Sequence, residues 1–498
     1  MHSTHHAGQR SAPHPAPGSI AELRATLRGE VVAPDDPEYE SARLVVNAAV
    51  DRRPALIVRA ADPGDVARAV SLARTQGLEL AVRGGGHSFA GHGTTDGGLL
   101  LDMSDMRALH IDPQRRIAWA QAGLTAGHYT AEAARHGLTT GFGDTASVGI
   151  AGLTLGGGIG WLVRKHGLTI DDLLAVELVT ANGERLHVDS ERHPDLFWAL
   201  RGGGGNFGVV TRLKYRLHEI YTILGGLLVL PATPGILSSF IVAAHDAPDE
   251  LSTIAVLARL PALPFVAAEH HGRLALMVRV AYAGDLERGQ RALAPLRALA
   301  TPLADAVTAI PYQQMYGADG PDPARVRMGI RSLFLDTLDS RAAATIFERM
   351  QAQPSPTTAV QIRVLGGAIA RVPADASAFA HRARSMMLTF LAGHQDADQA
   401  ASHEAWVAES LAGLSPAARG VHVSFLGDEG TARVHEAYPA DTYKRLATIK
   451  RRYDPTNLFR VNQNITPGWA VDGRHRSANR AHEVHQPATR PTPIEEQL

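Results

Sequence analysis

A histidine directly follows three consecutive glycines at residues 83–88, which read R-G-G-G-H-S. Imidazole nitrogen is a competent nucleophile near neutral pH, and glycine lets the backbone turn sharply or approach a ligand closely. His87 is therefore either presented to a bound group or part of a solvent-exposed turn. We interpret His92, in the same loop, as an exposed turn residue, and no third ligand with recognisable spacing makes the two histidines a metal site.

Two further glycine-dense loops follow, at residues 141–160 and 201–208. Successive backbone N–H groups in such turns form concavities that bind anions, so residues 83–88 and 149–158 together could hold a pyrophosphate. The alternative is that each loop is only a tight turn. Their density beside predicted strand ends favours a dinucleotide. The G-x-G-x-x-G pattern at 203–208 does not indicate a Rossmann site, because a predicted helix precedes it and a strand follows it.

The composition excludes several classes of protein. The chain has 498 residues, of which 45% are hydrophobic and 20% charged, and 49 basic residues balance 50 acidic ones. This balance predicts no binding to nucleic acid or to a membrane surface, and no apolar run approaches the roughly 20 residues of a membrane span. Without cysteine, thiol chemistry, disulfides and iron–sulfur clusters are excluded, so redox chemistry would require either an organic cofactor or a metal site made of histidine and carboxylate ligands.

The order of predicted elements divides the chain into five parts. Residues 1–35 read as a disordered leader without the apolar core of a secretory signal, and residues 36–216 alternate strands and helices around the glycine loops. Glycine clusters disappear in residues 217–439, which predict a second α+β domain. Residues 440–472 predict a helix, a turn and an extended segment, and residues 473–498 a disordered tail. A cytoplasmic location is the default expectation.

Four segments, 83–106, 147–184, 195–211 and 453–467, resemble the FAD-linked oxidases with a vanillyl-alcohol-oxidase (PCMH) type of flavin domain, in the berberine-bridge-enzyme-like branch. The resemblance implies an α+β fold with a two-subdomain FAD-binding domain. It also implies an α+β substrate domain with an antiparallel sheet, and a C-terminal segment that returns to the FAD domain.

The resemblance also implies roles for single residues. His87 matches the histidine that anchors the flavin covalently through the 8α-methyl group. Many relatives add a second bond through a cysteine, whose position is Thr145 here, so the FAD is expected to be singly tethered. The implied cofactor-binding residues are Arg83, Gly84, Gly85, Gly86, His87, Ser88, Thr145, Ser147, Val148, Gly149, Gly152, Gly157, Val209, Asn462 and Asn464.

The catalytic residues are less well defined by the same comparison. Relatives carry phenols on a late strand, whereas the matching stretch, residues 420–425, has His422 and Phe425 in those places. His422 is either the base or a packing residue. If residues 365–382 form a strand, Arg371 lies on one face of it with Gly367 and Ile369. Arg371 then either binds a polar group of the substrate or faces solvent. Tyr438 is a further candidate for the pocket.

These features predict an FAD-dependent oxidase that takes a hydride from an alcohol or a related C–H donor of a small molecule, with O2 as acceptor and hydrogen peroxide as product. Two alternatives stay open. One is a flavin dehydrogenase with another acceptor, and the other is a flavin-binding protein without catalysis. The substrate depends on side chains of the second domain, which the fold class does not specify.

Overall fold

The computed structural model describes residues 17–317, 326–414 and 418–468. Its first unit contains two main sheets that share one hydrophobic core. In chain order its elements are α1 (Pro17–Thr26), β1 (Glu30–Val32), α2 (Tyr39–Ala42), β2 (Leu56–Arg59), α3 (Pro63–Gln76), β3 (Leu80–Arg83), β4 (Leu99–Asp102), β5 (Leu109–Asp112), β6 (Ile117–Gln121), α4 (Ala126–Ala134), β7 (Leu138–Thr139), α5 (Ile150–Gly156), α6 (Val163–His166), β8 (Leu173–Val179), β9 (Arg185–Asp189), α7 (Pro194–Leu200), β10 (Val209–Arg216) and β11 (His218–Glu219).

The first sheet has the order β1-β2-β4-β3, with β1 antiparallel to β2 and the other neighbours parallel. Helix α3 connects two of its strands and has clear local signals. Asp62 accepts hydrogen bonds from the N–H groups of the first turn, Pro63 occupies the first helical position, and Gly77 ends the helix in a left-handed conformation, as expected for caps of these types. The first glycine loop therefore leaves from the carboxyl end of β3.

The second sheet is antiparallel, with the order β5-β6-β10-β8-β9. Along the chain, the two other glycine-rich loops surround α5 and precede β10. The two sheets confirm the predicted division of this region into two subdomains.

The second unit is an eight-stranded antiparallel sheet with helices on one face. Along β18, Val360, Ile362 and Val364 pack beneath these helices, so Gln361 and Arg363 lie on the opposite face by strand alternation. Its elements are β12 (Thr222–Pro231), α8 (Pro234–His245), β13 (Leu251–Arg259), β14 (Leu274–Tyr282), α9 (Leu286–Arg297), β15 (Ala304–Asp305), β16 (Thr308–Pro311), β17 (Arg327–Leu335), α10 (Ser340–Gln351), β18 (Thr358–Val364), α11 (Ala368–Arg371), β19 (Met386–His394) and α12 (Ala400–Leu414).

The C-terminal part returns to the first unit, as the predicted fold class requires. It contains α13 (Thr431–Ala437), α14 (Ala440–Tyr453) and an extended segment. Leu446, Phe459 and Ile465 join the core of the first unit, and so do Val421 and Val434. The return therefore begins about twenty residues before the predicted start at residue 440.

Two further sequence predictions differ from the structure. Residues 17–35 of the predicted leader contain α1 and β1, and β1 pairs with β2; residues 1–16 and the predicted tail, 473–498, lie outside the described residues. The predicted strand in residues 365–382 is instead interrupted by the short helix α11, because Gly366 and Gly367 adopt positive φ angles of 101° and 64°. In the described part of the chain, no helix is long and apolar enough to cross a membrane.

Candidate active site

A cavity of about 590 Å³ lies between the glycine loops, the inner face of the eight-stranded sheet and the C-terminal segment. Elements distant in the sequence therefore contribute to one site. The predicted residues that line it are Arg83, Gly84, Gly85, Gly86, His87, Ser88, Thr145, Val148, Gly149, Gly152, Val209, His422, Tyr438 and Asn462.

The glycine loops form their side of the cavity with backbone atoms. A Cβ on Gly85 would overlap the backbone nitrogen of Gly149, and a Cβ on Gly149 would overlap the backbone nitrogen of Gly85. The first and second loops thus pack backbone to backbone, which only glycine allows at both positions. A Cβ on Gly156 would likewise overlap the hydroxyl of Ser424. The glycines are required by this close approach, and a tight turn alone does not explain them.

His87 points into this arrangement and is half-buried. Burial lowers the pKa of its imidazole, and a hydrogen bond with the backbone of Ser147 acts in the opposite direction. Its Nε2 atom is buried without a hydrogen-bond partner. The loop itself is anchored by Arg83, which donates to the Asp102 carboxylate at 2.7 Å and to the carbonyl of Leu44 at 3.0 Å. His87 is therefore a neutral imidazole held on a fixed loop.

Three of the predicted cofactor residues do not line the cavity: Ser147, Gly157 and Asn464. Ser147 contributes its backbone to His87, and its carbonyl lies directly beside Gly85. Gly157 has a φ angle of 131°, and a Cβ there would lie 2.8 Å from the ring of Phe379. Ser147 and Gly157 therefore contribute to the conformation and packing of the loops.

The inner face of the eight-stranded sheet supplies a charged group that the sequence analysis missed. Arg363 on β18 is only 3% exposed and donates to the carboxylate of Asp144 at 2.7 Å and to the side-chain oxygen of Gln361. Its guanidinium also lies 4.8 Å from the ring centre of Phe425. All four residues line the cavity. The alternation of polar and branched residues in Q-I-R-V, residues 361–364, was the available signal.

His422 lies fully inside the cavity wall, between the rings of Phe379 and Phe425. Burial, with Arg363 nearby, lowers its pKa to about 3. Its Nδ1 atom accepts a hydrogen bond from the backbone N–H of Ser424 at 3.0 Å. The neutral ring must therefore carry its proton on Nε2, which makes that nitrogen a hydrogen-bond donor. A role as base would require an imidazolium in a site that disfavours the charge.

The other two catalytic candidates, Tyr438 and Arg371, lie in different parts of the structure. Tyr438 lines the cavity, is 2% exposed, and donates from its hydroxyl to the carbonyl of Gly202 at 3.1 Å; burial raises its pKa. Arg371 lies on α11 with 63% of its side chain exposed, and it pairs with Asp249 at 2.6 Å on the surface. The structure therefore places Tyr438 at the cavity and Arg371 away from it, contrary to the expected strand face.

His92 also differs from its sequence interpretation as an exposed turn residue. It is half-buried and lines the cavity, and burial lowers its pKa to about 4. Its position follows from a bend in the first glycine loop, where the hydroxyl of Ser88 accepts from the His92 backbone N–H at 3.2 Å. Among residues 17–317, 326–414 and 418–468, no group of three or more histidine or carboxylate side chains is arranged to hold a metal ion.

The C-terminal segment contributes Asn462 to the cavity wall, while Asn464 does not line the cavity. Asn462 lines the cavity, and its Nδ2 atom donates to the carbonyls of Gly205 and Phe459 at 3.1 and 3.0 Å. Its Oδ1 atom and that of Asn464 are buried without a hydrogen-bond partner. Unpaired buried amide oxygens are rare in folded proteins, and they suit a cofactor that offers N–H or O–H groups.

Comparisons with known proteins agree with this geometry. A family model described as an FAD binding domain matches residues 54–189, and one described as berberine and berberine like matches residues 425–466. The chain is similar to (R)-6-hydroxynicotine oxidase of Paenarthrobacter nicotinovorans, with 32% identity over 89% of this chain and 97% of that protein. It is also similar to the xylooligosaccharide oxidase of Thermothelomyces thermophilus, with 27% identity over 92% and 96%.

The same similarity extends to a solved structure. The crystal structure of 6-hydroxy-D-nicotine oxidase from Arthrobacter nicotinovorans aligns with a TM-score of 0.79 and 30% identity, covering 89% of this chain and 99% of that one. The alignment therefore covers most of both chains.

Proposed function

The chain belongs to the FAD-linked oxidases with a berberine-bridge-like C-terminal segment, and on that premise we propose that it oxidises a C–H bond of a small molecule with an FAD tethered to His87. The proposed donor is an alcohol or a related group that can lose a hydride. O2 is the proposed acceptor, which yields hydrogen peroxide.

The observation that carries the proposal is the unpaired Nε2 atom of His87, buried on the wall of a cavity made of glycine backbone. FAD fits the residues present in three respects. The close-packed loops around Gly85 and Gly149 leave backbone surface where a flat ring system can lie. The imidazole is neutral and nucleophilic. The free amide oxygens of Asn462 and Asn464 offer acceptors on the C-terminal side.

Bound FAD supplies the two-electron acceptor, while the protein binds, orients and shields the substrate. His422 lines the cavity and carries its N–H donor on Nε2 in an apolar setting, where it is proposed to donate to a substrate acceptor atom. Gln361 uses its oxygen to accept from Arg363, so its NH2 group remains to bind a substrate acceptor atom. Since Thr145 occupies the position of the second attachment and the chain has no cysteine, a single bond at His87 is proposed.

The tether is tested by denaturing the purified protein and asking whether the yellow colour stays with the polypeptide. We expect a flavin-modified peptide that contains His87, and release of all flavin on denaturation of His87→Ala. His92→Ala is the matched control, because it changes a histidine of the same loop and should keep the bond. Flavin that separates from the denatured wild-type protein would contradict the tether, even if FAD binding persists.

The acceptor is tested separately. A substrate found by its ability to bleach the bound flavin without oxygen should, under air, yield one peroxide per substrate oxidised. Turnover that requires an added dye and gives no peroxide would identify a dehydrogenase. If no donor reduces the bound flavin in repeated catalytic cycles, the protein would be a flavin-binding protein without catalytic activity.

A further inference from the structure

A buried lysine lies beneath the cavity, outside the set of residues so far assigned to the site. Lys450 on α14 is 0% exposed. Its ammonium group donates to the backbone carbonyl of Asn206 at 2.8 Å, to the carboxylate of Asp454 at 3.0 Å, and to the backbone carbonyl of Phe459 at 2.7 Å. A lysine ammonium has three donors, so every one of them is engaged. Such a complete set of bonds is what a buried charge requires.

The three partners belong to segments that meet the cavity. Asn206 lies in the third glycine loop, and both Asn206 and Phe459 line the cavity. Asp454 also accepts from the backbone N–H groups of Leu458 and Phe459, at 2.8 and 2.9 Å. The charge pair therefore fixes the turn after α14 and holds it against the glycine loop.

A second set of bonds connects the same loop with the end of the chain. The side-chain oxygen of Asn206 accepts from the backbone N–H of Ile465 at 2.9 Å, and its amide nitrogen donates to the carbonyls of Gly203 and Gln463. Asn206 is 1% exposed, so these bonds form in the interior, where they are strong and intolerant of mispairing.

Asn462 is held between these two anchor points. Its amide nitrogen donates to the carbonyl of Phe459, the same oxygen that accepts from Lys450, and to the carbonyl of Gly205, the residue next to Asn206. Both N–H donors of the amide have partners, so the orientation of the group is fixed. Its Oδ1 atom remains as the buried acceptor without a partner.

We propose that Lys450 is a positioning residue for the cofactor, which acts by holding the amide of Asn462 so that its oxygen is presented to the flavin. The proposal rests on FAD as the occupant of the cavity and is independent of the tether, the substrate and the acceptor. Burial lowers the pKa of Lys450 and Asp454 raises it again, which agrees with a charged pair that has a geometric role.

The experiment compares the reduction potential of the bound flavin in Lys450→Met, Asn462→Ala and the double variant, by equilibration with a reference dye. Oxidised and reduced isoalloxazine differ in their N–H groups and charge, so removing an acceptor oxygen beside the ring should shift the potential, and a lost hydrogen bond of ordinary strength shifts the equilibrium about tenfold. Lys450→Met should shift it in the same direction. When Asn462 is already alanine, Lys450→Met should change the redox equilibrium by less than a further factor of about two, because the effects of coupled residues are not additive.

Lys444→Met is the matched control, since Lys444 is an exposed lysine of the same helix, and it should leave the potential unchanged. Lys450→Arg provides a second variant that keeps the charge but cannot reproduce the three bonds of an ammonium group, and it should shift the potential in the same direction. An unchanged potential in Asn462→Ala overturns the proposal. So does a Lys450 effect that adds in full to the Asn462 effect, since Lys450 would then act on the flavin independently of the Asn462 amide.

The reduction potentials can be measured and interpreted even if the proposed function is wrong. A flavin that leaves on denaturation, or a protein that releases no peroxide, still has a measurable potential for the bound FAD. Conversely, an additive result would leave the tether and the oxidase activity unaffected.

Discussion

The two walls of the cavity are built in different ways. On the cofactor side the glycine loops expose backbone, and Gly85 and Gly149 pack so closely that neither tolerates a Cβ. On the opposite side the eight-stranded sheet presents side chains, with Arg363 and Gln361 bonded to each other on alternate positions of β18. One wall is therefore defined by residues without side chains, and the other by polar and charged side chains.

This difference determines what a substitution does on each side. A backbone wall has no spare volume, so a single methyl group displaces a whole loop. A side-chain wall is held by specific bonds, so its residues can change while the sheet stays in place. The cofactor wall is therefore expected to be sensitive to volume, and the substrate wall to charge and hydrogen bonding.

The largest effect is expected for Gly85→Ala. The added Cβ would overlap the backbone of Gly149, and such overpacking against backbone costs about 3 kcal/mol. We expect loss of the yellow colour and a clearly lower unfolding temperature. Gly235→Ala is the control, because a Cβ there meets only the hydroxyl of Thr233 at 3.9 Å. Wild-type flavin content in Gly85→Ala would show that the two loops do not need to touch.

An intermediate effect is expected for Arg363→Met. It removes the partner of Asp144, whose side chain is 17% exposed, and a partly buried carboxylate left without its partner costs about 2 kcal/mol. Thermal unfolding should show this loss while flavin content stays that of the wild type. Arg371→Met, which breaks a surface pair with Asp249, should cost under about 1 kcal/mol. Loss of flavin in Arg363→Met would mean that the two walls are not independent.

The smallest effect is expected for the pH dependence of His422→Asn. In the folded protein His422 stays neutral down to a pKa of about 3, whereas in the unfolded chain it takes up a proton below about pH 6.5. The unfolded state thus binds more protons between these values, and stability falls as the pH is lowered through that window, by up to about 1.4 kcal/mol per pH unit.

The variant should lose less stability than the wild type when the pH falls from about 7 to 5.5. Thermal unfolding at several pH values measures the slope, and Asn can still accept from the Ser424 backbone N–H through its amide oxygen. His136→Asn, at an exposed position, should keep the wild-type slope. Equal slopes in His422→Asn and the wild type would mean that His422 is protonated in the folded protein.

Most of the cofactor wall was predictable from contiguous sequence. The segments around His87, Gly149 and Asn462 were assigned from short motifs, and these residues line one cavity. On the substrate wall the strand was predicted wrongly, and of the two positions left open for Arg371 the structure has the solvent-facing one. The prediction extended a strand through residues 365–382, but Gly366 and Gly367 turn the backbone there, and the cavity-facing arginine is Arg363, before the turn.

The role of Lys450, in the C-terminal part of the chain, could not be predicted from the sequence either. It begins a basic run, K-R-R at residues 450–452, in which Arg451 and Arg452 are exposed. By sequence the run is an ordinary solvated helix end that complements the helix dipole. Only the packing of α14 against the third glycine loop buries the first of these three charges and gives it three partners.

In the sequence by itself, four segments identified the family and its FAD-binding domain through their resemblance to known proteins. The glycine loops could also be located, because close backbone approach demands glycine at fixed local spacing and leaves a contiguous pattern. The tertiary structure alone decided which charged residues meet across the cavity. Asp144 and Arg363 are 219 positions apart, and no local rule of propensity or alternation relates two residues whose distance is set by the docking of separate sheets.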